Sequence, residues 1–385
     1  MTRPNCLVVV GTRPEAIKMA PVVWSLREPS RELRTSLLLT GQHRELVQQV
    51  LEVFDLESDI DLELMEHGQT LSGFMKKALE SLDTVYQAEQ PDMVVVQGDT
   101  STVLVASLAA FYRRIPIAHV EAGLRTSDLS SPFPEEGNRR LTSVLADLHF
   151  APTQTAYENL CAERIDARKI SITGNPVIDA LRMIRDRASE VAQSAFPFLD
   201  ADRRLIVVTA HRRENHGEPL ENICRAVGDL VDDYSDIDVI WPVHPHPAVS
   251  ATVHSALGAH ERIHLTAPID YCTFAGLIDR AAIVLTDSGG LQEEAPAFGT
   301  PVLTMRSTTE RPEGVAAGNS RLVGTSAEKI YAQTALLLDD EDLYQQMSTA
   351  ASPYGDGHAA ERIADSIGAF LSLRREAPEP SHSYH

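Results

Sequence analysis

The sequence predicts an α/β protein built as two doubly wound parallel-sheet domains, and three observations carry that prediction. The chain has 385 residues, more than the roughly 250 to 300 at which a single hydrophobic core stops growing. Short apolar runs alternate with amphipathic stretches of helical length, the pattern of repeated βαβ units. The alternation also breaks once and then restarts, as it would at the start of a second sheet. Hydrophobic residues make up 43% and charged residues 23%, the proportions of a globular chain with a sizeable core.

In the first set, "CLVVVG", "TSLLLT", "DMVVVQGD", "IPIAHVE" and "LHFAPT" read as strands, with helical patterns between them. After "ISITGNPVIDAL" the pattern restarts with "RLIVVTAHRREN", "IDVIWPVHPHP", "RIHLTAP", "AAIVLTDSGG" and "TPVLTM". Between the two sets, "RDRASEVAQSAFPFLDADRR" is polar and mixed in charge. "SPYGDG", Ser352 to Gly357, punctuates a last helical pattern from His358 to Leu373, which is expected to return to the first domain. The expected domains are therefore 1–175 with 356–373, and 176–355. A tail of 374–385, rich in Pro, Ser and His, is expected to fray.

Composition excludes several function classes. A net charge of −21 repels nucleic acid, and no basic stripe offsets it. No run of about 18 apolar residues is available to span a membrane. The start, "MTRPNCLVVVGTRPE", enters an apolar run directly, so a cytoplasmic location is expected. Cys6, Cys161, Cys224 and Cys272 show no paired spacing, which argues against a zinc site or a disulfide framework.

Ligands of doubly wound sheets bind beyond the carboxyl ends of the strands, and the residues there are more charged than packing needs. "GTRPEAIKMAP" offers Arg13 and Lys18 to the expected cleft between the domains. Asp99 and Glu121 each end an apolar strand, where a carboxylate suited to proton transfer would sit. The structural alternatives are a helix cap at Asp99 and a Glu121–Arg125 ion pair. "SPFPEEGNRR" adds Glu135 and Arg139, with Glu136 better read as a charged first turn that complements the helix dipole. In the second half, His211 and Arg212 of "TAHRREN" suit a diphosphate, and "STTERPEG" places Arg311 after the last main strand, facing the expected cleft. His244 and His246 of "VHPHP" lack a third ligand, so the loop reads as structural and no metal is expected. In "DSGGLQEEAP", Ser288, Gly289 and Gly290 follow a strand and precede a helix, so their N–H groups suit phosphate. A carboxylate one turn later suits ribose hydroxyls.

These strings, in this order, resemble the non-hydrolysing UDP-N-acetylglucosamine 2-epimerases. The resemblance rests on "GTRPEAIKMAP", "QGDT", "HVEAGLRT", "PFPEEGNR", "TGNPVIDAL", "HRREN", "TDSGGLQEEAP" and "TTERPE", and runs from Gly11 to Glu313. It implies a GT-B-like fold of two Rossmann-type domains with the active site in the cleft between them, and a cytoplasmic homodimer. It also implies interconversion of UDP-GlcNAc and UDP-ManNAc with no cofactor and no metal. The implied mechanism is anti elimination of UDP to 2-acetamidoglucal, followed by syn readdition. By resemblance, Asp99, Glu121 and Glu135 handle the proton and the oxocarbenium character, supported by Arg139 and Lys18. His211 assists departure and return of the diphosphate, which Arg13, Ser288, Gly289, Gly290 and Arg311 also hold. Glu294 takes the ribose, and Phe274 of "DYCTF" lies near the uracil. Substrate-regulated members have a second sugar-nucleotide site, and Gln42, Arg212 and His244 match it. Gly68 and Glu45 depart from that pattern, which counts against substrate activation.

Other readings use the same nucleotide site: a GT-B glycosyltransferase, a hydrolysing epimerase that releases ManNAc and UDP, and a catalytically silent sensor. The acidic set Asp99, Glu121 and Glu135 favours an epimerase over the transferase and the sensor, while the hydrolysing epimerase is separated only by its product, free ManNAc.

Overall fold

The computed structural model describes residues 3–376 apart from 42, 43, 67, 127, 200 and 201. The chain divides into two compact units, one running to Met183 and resuming at Tyr354, the other Ile184–Pro353. In the first unit β1 (Asn5–Val10), β2 (Arg34–Leu39), β3 (Ile60–Asp61), β4 (Met93–Gln97), β5 (Ile117–Val120), β6 (Leu148–Ala151) and β7 (Ile170–Ile172) form one sheet. Its order is β3-β2-β1-β4-β5-β6-β7, with every pair parallel. In the second unit β8 (Arg204–Thr209), β9 (Ile237–Pro242), β10 (Ile263–Thr266), β11 (Ile283–Thr286), β12 (Val302–Thr304) and β13 (Ser320–Leu322) repeat the design. The order there is β10-β9-β8-β11-β12-β13, again all parallel.

The expected fold class is what the structure has: two parallel, doubly wound α/β units. Every residue of β1 and β4 is buried, because helices cover both faces of each sheet and an apolar run is the only composition that tolerates this. Strand order reverses between β1 and β4 and between β8 and β11. The loops after those strands open a crevice at each switch point. "GTRPE" and "QGDT" follow the first pair of strands, and "HRREN" and "DSGG" follow the second.

Several details differ from expectation. The strands β3 and β13 have two and three residues, too few for an apolar run to stand out. The polar segment 185–204 is largely helix. Pro176–Ala195 is a single helix in which Ala188 and Ala192, four residues apart, are buried while Arg185, Asp186, Arg187 and Glu190 are exposed, and the division between the units falls within it. The last helix is Ala359–Glu376, packed on the helix Arg13–Leu26. It continues past Leu373, and 377–385, the rest of the expected tail, lie outside the described residues. No described helix is long and apolar enough to cross a membrane.

Gly123 shows how packing sets the backbone beside Glu121. It has φ +92, and a Cβ there would lie 2.2 Å from the carbonyl oxygen of Ala156, so the turn after β5 tolerates only a hydrogen. Gly123→Ala should lower stability by about 2 kcal/mol or more, read as a lower urea midpoint. An unchanged midpoint would mean that the close approach carries no energetic weight.

Candidate active site

In the first unit the candidate residues form two connected clusters. Glu121 ends β5 at φ +60, a left-handed conformation uncommon for a residue with a side chain. Only 7% exposed, it receives Lys18 Nζ at 2.6 and 2.8 Å on its two oxygens. Asn175 Nδ2 donates to it at 2.9 Å, and Gln97 Nε2 donates to its Oε2. Arg125, the alternative partner, is instead bound by Glu163 at 2.7 and 2.8 Å. The sequence therefore named the carboxylate and Lys18 but missed Gln97 and Asn175. Their places, at the end of β4 and just past β7, were the available signal.

Asp99 does not cap the helix Ser101–Tyr112; Thr100 does, accepting from the Val103 amide. The Asp99 carboxylate receives Arg139 through Nε at 3.1 Å and through Nη2. Its carbonyl accepts from Asn138 Nδ2 at 2.9 Å. Glu136 is more than a surface charge: fully buried, it holds Arg139 at 3.1 Å and Arg140 at 2.9 Å and accepts the Thr126 amide at 3.2 Å. Glu135, one position earlier at the start of the helix Glu135–Leu145, is half-buried and makes no hydrogen bond or ion pair among the described residues. Arg13 is likewise half-buried and unpaired among them.

Glu15 was passed over, although Thr12 to Glu15 has the spacing of a capping box. Its Oε2 accepts the Gly11 and Thr12 amides at 2.5 and 3.1 Å, and Thr100 donates to its Oε1 at 2.5 Å. It thereby ties the loop after β1 to the loop after β4. Burial pushes its carboxyl up to about 7, against those hydrogen bonds.

In the second unit the organising group is Asp287, which no expectation had given a role. Fully buried at the end of β11, it accepts on Oδ2 the amides of His211 and Arg212 and Asn215 Nδ2, all at 2.9 Å. Its Oδ1 lies 3.0 Å from His211 Nδ1, so Nε2 is the ring nitrogen left available. Burial alone would raise the Asp287 carboxyl, but His211 and the backbone amides prevail and lower it.

The other cations are already paired: Arg306 with Glu214 at 2.8 Å and Glu310 at 2.6 Å, Arg212 with Glu310 at 3.5 Å, and Arg311 with buried Glu293. The N–H of Ser288 donates to Thr286 Oγ1 at 2.9 Å, because the turn closes on its own strand, so that group is not offered to phosphate. The amides of Gly289 and Gly290 have no acceptor among the described residues. Glu294 is half-buried, its Oε1 3.2 Å from where a Cβ on Gly290 would be. Phe274 packs on the cluster formed by Leu277, Leu291 and their neighbours. Of the second-site matches, exposed His244 has its ring 6.3 Å from that of His211, and Arg212 lies beside Asp287. Gln42 lies outside the described residues.

The model of the family described as UDP-N-acetylglucosamine 2-epimerase matches residues 26–368. An Escherichia coli UDP-N-acetylglucosamine 2-epimerase is 49% identical over 369 residues, covering 94% of this chain and 97% of its own. The Bacillus subtilis enzyme of the same name is 46% identical over 382 residues, covering 98% and 99%. A crystal structure of the Neisseria meningitidis UDP-GlcNAc 2-epimerase bound to UDP-GlcNAc is similar at TM-score 0.85 and 43% identity, covering 94% of this chain and 99% of that one.

Asp287 generates a stability prediction with a defined sign. Its folded pKa is depressed, so its contribution is present above the unfolded value of about 3.9 and is lost as pH falls through the lower folded value. Asp287→Ala should cost about 3 kcal/mol near neutral pH by leaving unmatched the three donors on Oδ2 and the His211 Nδ1 beside Oδ1. It should also flatten the acid limb of a plot of stability against pH, measured by urea unfolding. An acid limb identical to wild type would show that the carboxylate is not the anchor.

Proposed function

Because the chain belongs to the UDP-N-acetylglucosamine 2-epimerase family, we propose that it interconverts UDP-GlcNAc and UDP-ManNAc without hydrolysis. In the first step a carboxylate takes the C2 proton. The C1–O bond breaks with its electron pair going to UDP, leaving a C1=C2 double bond in 2-acetamidoglucal. Syn readdition then forms C1–O again while a carboxyl group returns a proton to the other face of C2. The supporting observation is that three carboxylates sit in three different environments: Glu121 buried with Lys18, Asp99 half-exposed with Arg139, and Glu135 unpaired among the described residues.

In this reading the acidic set acts on the sugar ring. Lys18 and Arg139 orient Glu121 and Asp99, and Arg13, unpaired among the described residues, supplies a cation for the diphosphate. His211, oriented by Asp287, meets the leaving diphosphate through Nε2, assisted by the Gly289 and Gly290 amides and Arg311. Glu294 takes the ribose and Phe274 the neighbourhood of the uracil. The four cysteines are unbridged, which supports work in the reducing cytoplasm.

We take the working form to be a homodimer. Phe111 and Tyr112 are 54% and 64% exposed, and Leu141 and Val144, on the adjoining helix Glu135–Leu145, are 56% and 76% exposed. Large apolar side chains exposed on two adjoining helices support an interaction face. Sedimentation equilibrium should give twice the 42.2 kDa chain mass; a monomer at micromolar concentration would remove the dimer.

Incubation with UDP-GlcNAc in deuterium oxide, followed by proton NMR, tests the chemistry. UDP-ManNAc with deuterium at C2 is expected, with slow release of UDP and 2-acetamidoglucal. Retention of hydrogen at C2 would sink the elimination. Free ManNAc as the main product would establish the hydrolysing reaction instead, and turnover only with an added acceptor would indicate a transferase. In the same assay Asp99→Asn, Glu121→Gln and Glu135→Gln should each lose about 10² or more in turnover; wild-type rates would remove the assignment.

A further inference from the structure

His119 is a fully buried imidazole in β5, two residues before Glu121. Its Nε2 lies 2.7 Å from the carbonyl oxygen of Gly98. A carbonyl can only accept, so this nitrogen carries the proton and the ring is the Nε2–H tautomer. The amide of Gly98 donates to the Val120 carbonyl at 3.0 Å. Both polar groups of Gly98 are thus held by β5, one by its main chain and one by the imidazole.

What they hold is the turn that joins Gln97 to Asp99. Gly98 has φ +82; Gln97, before it, donates to Glu121, and Asp99, after it, faces Arg139. Losing the imidazole donor would remove the restraint on the Gly98 carbonyl and leave Asp99 placed by Asn138 and Arg139 alone. Burial depresses the His119 pKa to about 4, with Arg125 adding to the effect and Asp99 and Glu121 opposing it. The ring therefore keeps one tautomer through the neutral range. His149, its register partner on β6, is also buried and is depressed by burial to about 3. The Nδ1 of His119 has no hydrogen-bond partner among the described residues, which leaves the hydrogen bond to Gly98 as the contribution of His119.

We propose that His119 is a positioning residue for the reaction: its Nε2–H fixes the Gly98–Asp99 peptide and so sets where the Asp99 carboxylate stands relative to Glu121. The proposal rests on the epimerase reading of those two carboxylates.

The test pairs His119→Phe, which fills the space without a donor, with His119→Gln, whose amide nitrogen reaches the position of Nε2. UDP-GlcNAc epimerisation by His119→Phe should fall about 10²-fold in kcat, the scale of a 1 Å misplacement, with KM little changed. His119→Gln should recover most of the loss. Wild-type kcat in the Phe variant, or a Gln variant as slow as Phe, overturns the proposal. A readout that needs no turnover is 15N-detected imidazole NMR of the wild-type protein. It should show His119 as the Nε2–H tautomer with no titration between pH 5 and 9, and the other tautomer or a titration in that range overturns the proposal even if His119→Phe does not fold. Absence of epimerisation by wild type, with the NMR signature present, would count against the proposed reaction and leave the hydrogen bond standing.

Discussion

Glu121 is the group on which the first unit is organised. Removing a carboxylate from water is costly unless charge and hydrogen bonds are returned to it. Here the first helix supplies Lys18, the end of β4 supplies Gln97, and the segment after β7 supplies Asn175. Three separate pieces of chain must be in place before this side chain is satisfied. The left-handed backbone at Glu121 is unfavourable by itself and persists because those contacts over-determine it. A residue held this firmly loses little freedom when a substrate arrives, which is what preorganised catalysis requires.

Asp287 solves the same problem in the opposite sense. Glu121 is gripped by side chains, whereas Asp287 grips main chain, collecting the amides that follow β8 and fixing His211 by its ring. The loop after β8 is thereby shaped by a carboxylate from β11, across the point where the strand order reverses. The arginines nearby are balanced by glutamates, so this part of the second unit carries cations without a large excess of positive charge.

The fold was legible because a strand buried on both faces has almost no choice of composition. β1, β4, β8 and β11 announce themselves, while two- and three-residue edge strands such as β3 and β13 do not. The candidate site was legible where a side chain lies within two positions past a strand: Asp99, Glu121 and His211 follow that rule. Partners were harder to see. Gln97, Asn175 and His119 sit in motifs already quoted, but their importance depends on which loop lies beside which, and that comes from strand order. Lys18 and Arg139 were named as supports, and the structure supplies their partners, Glu121 and Asp99. Ser288 shows the converse: the motif suggested a phosphate donor, and a threonine two residues earlier had already claimed the amide.

The first unit is discontinuous in the chain, and this bears on the order in which the protein can be assembled. Asn175, which helps to hold Glu121, receives its own backbone constraint from the Tyr354 carbonyl at 2.6 Å, and Tyr354 follows the whole of the second unit. On a ribosome the seven strands of the first sheet would emerge well before the segment that fastens Asn175. The acidic site therefore reaches its final form only after the intervening unit has been synthesised, and a chain stalled before Tyr354 carries the acidic residues without the bond that sets one of their supports.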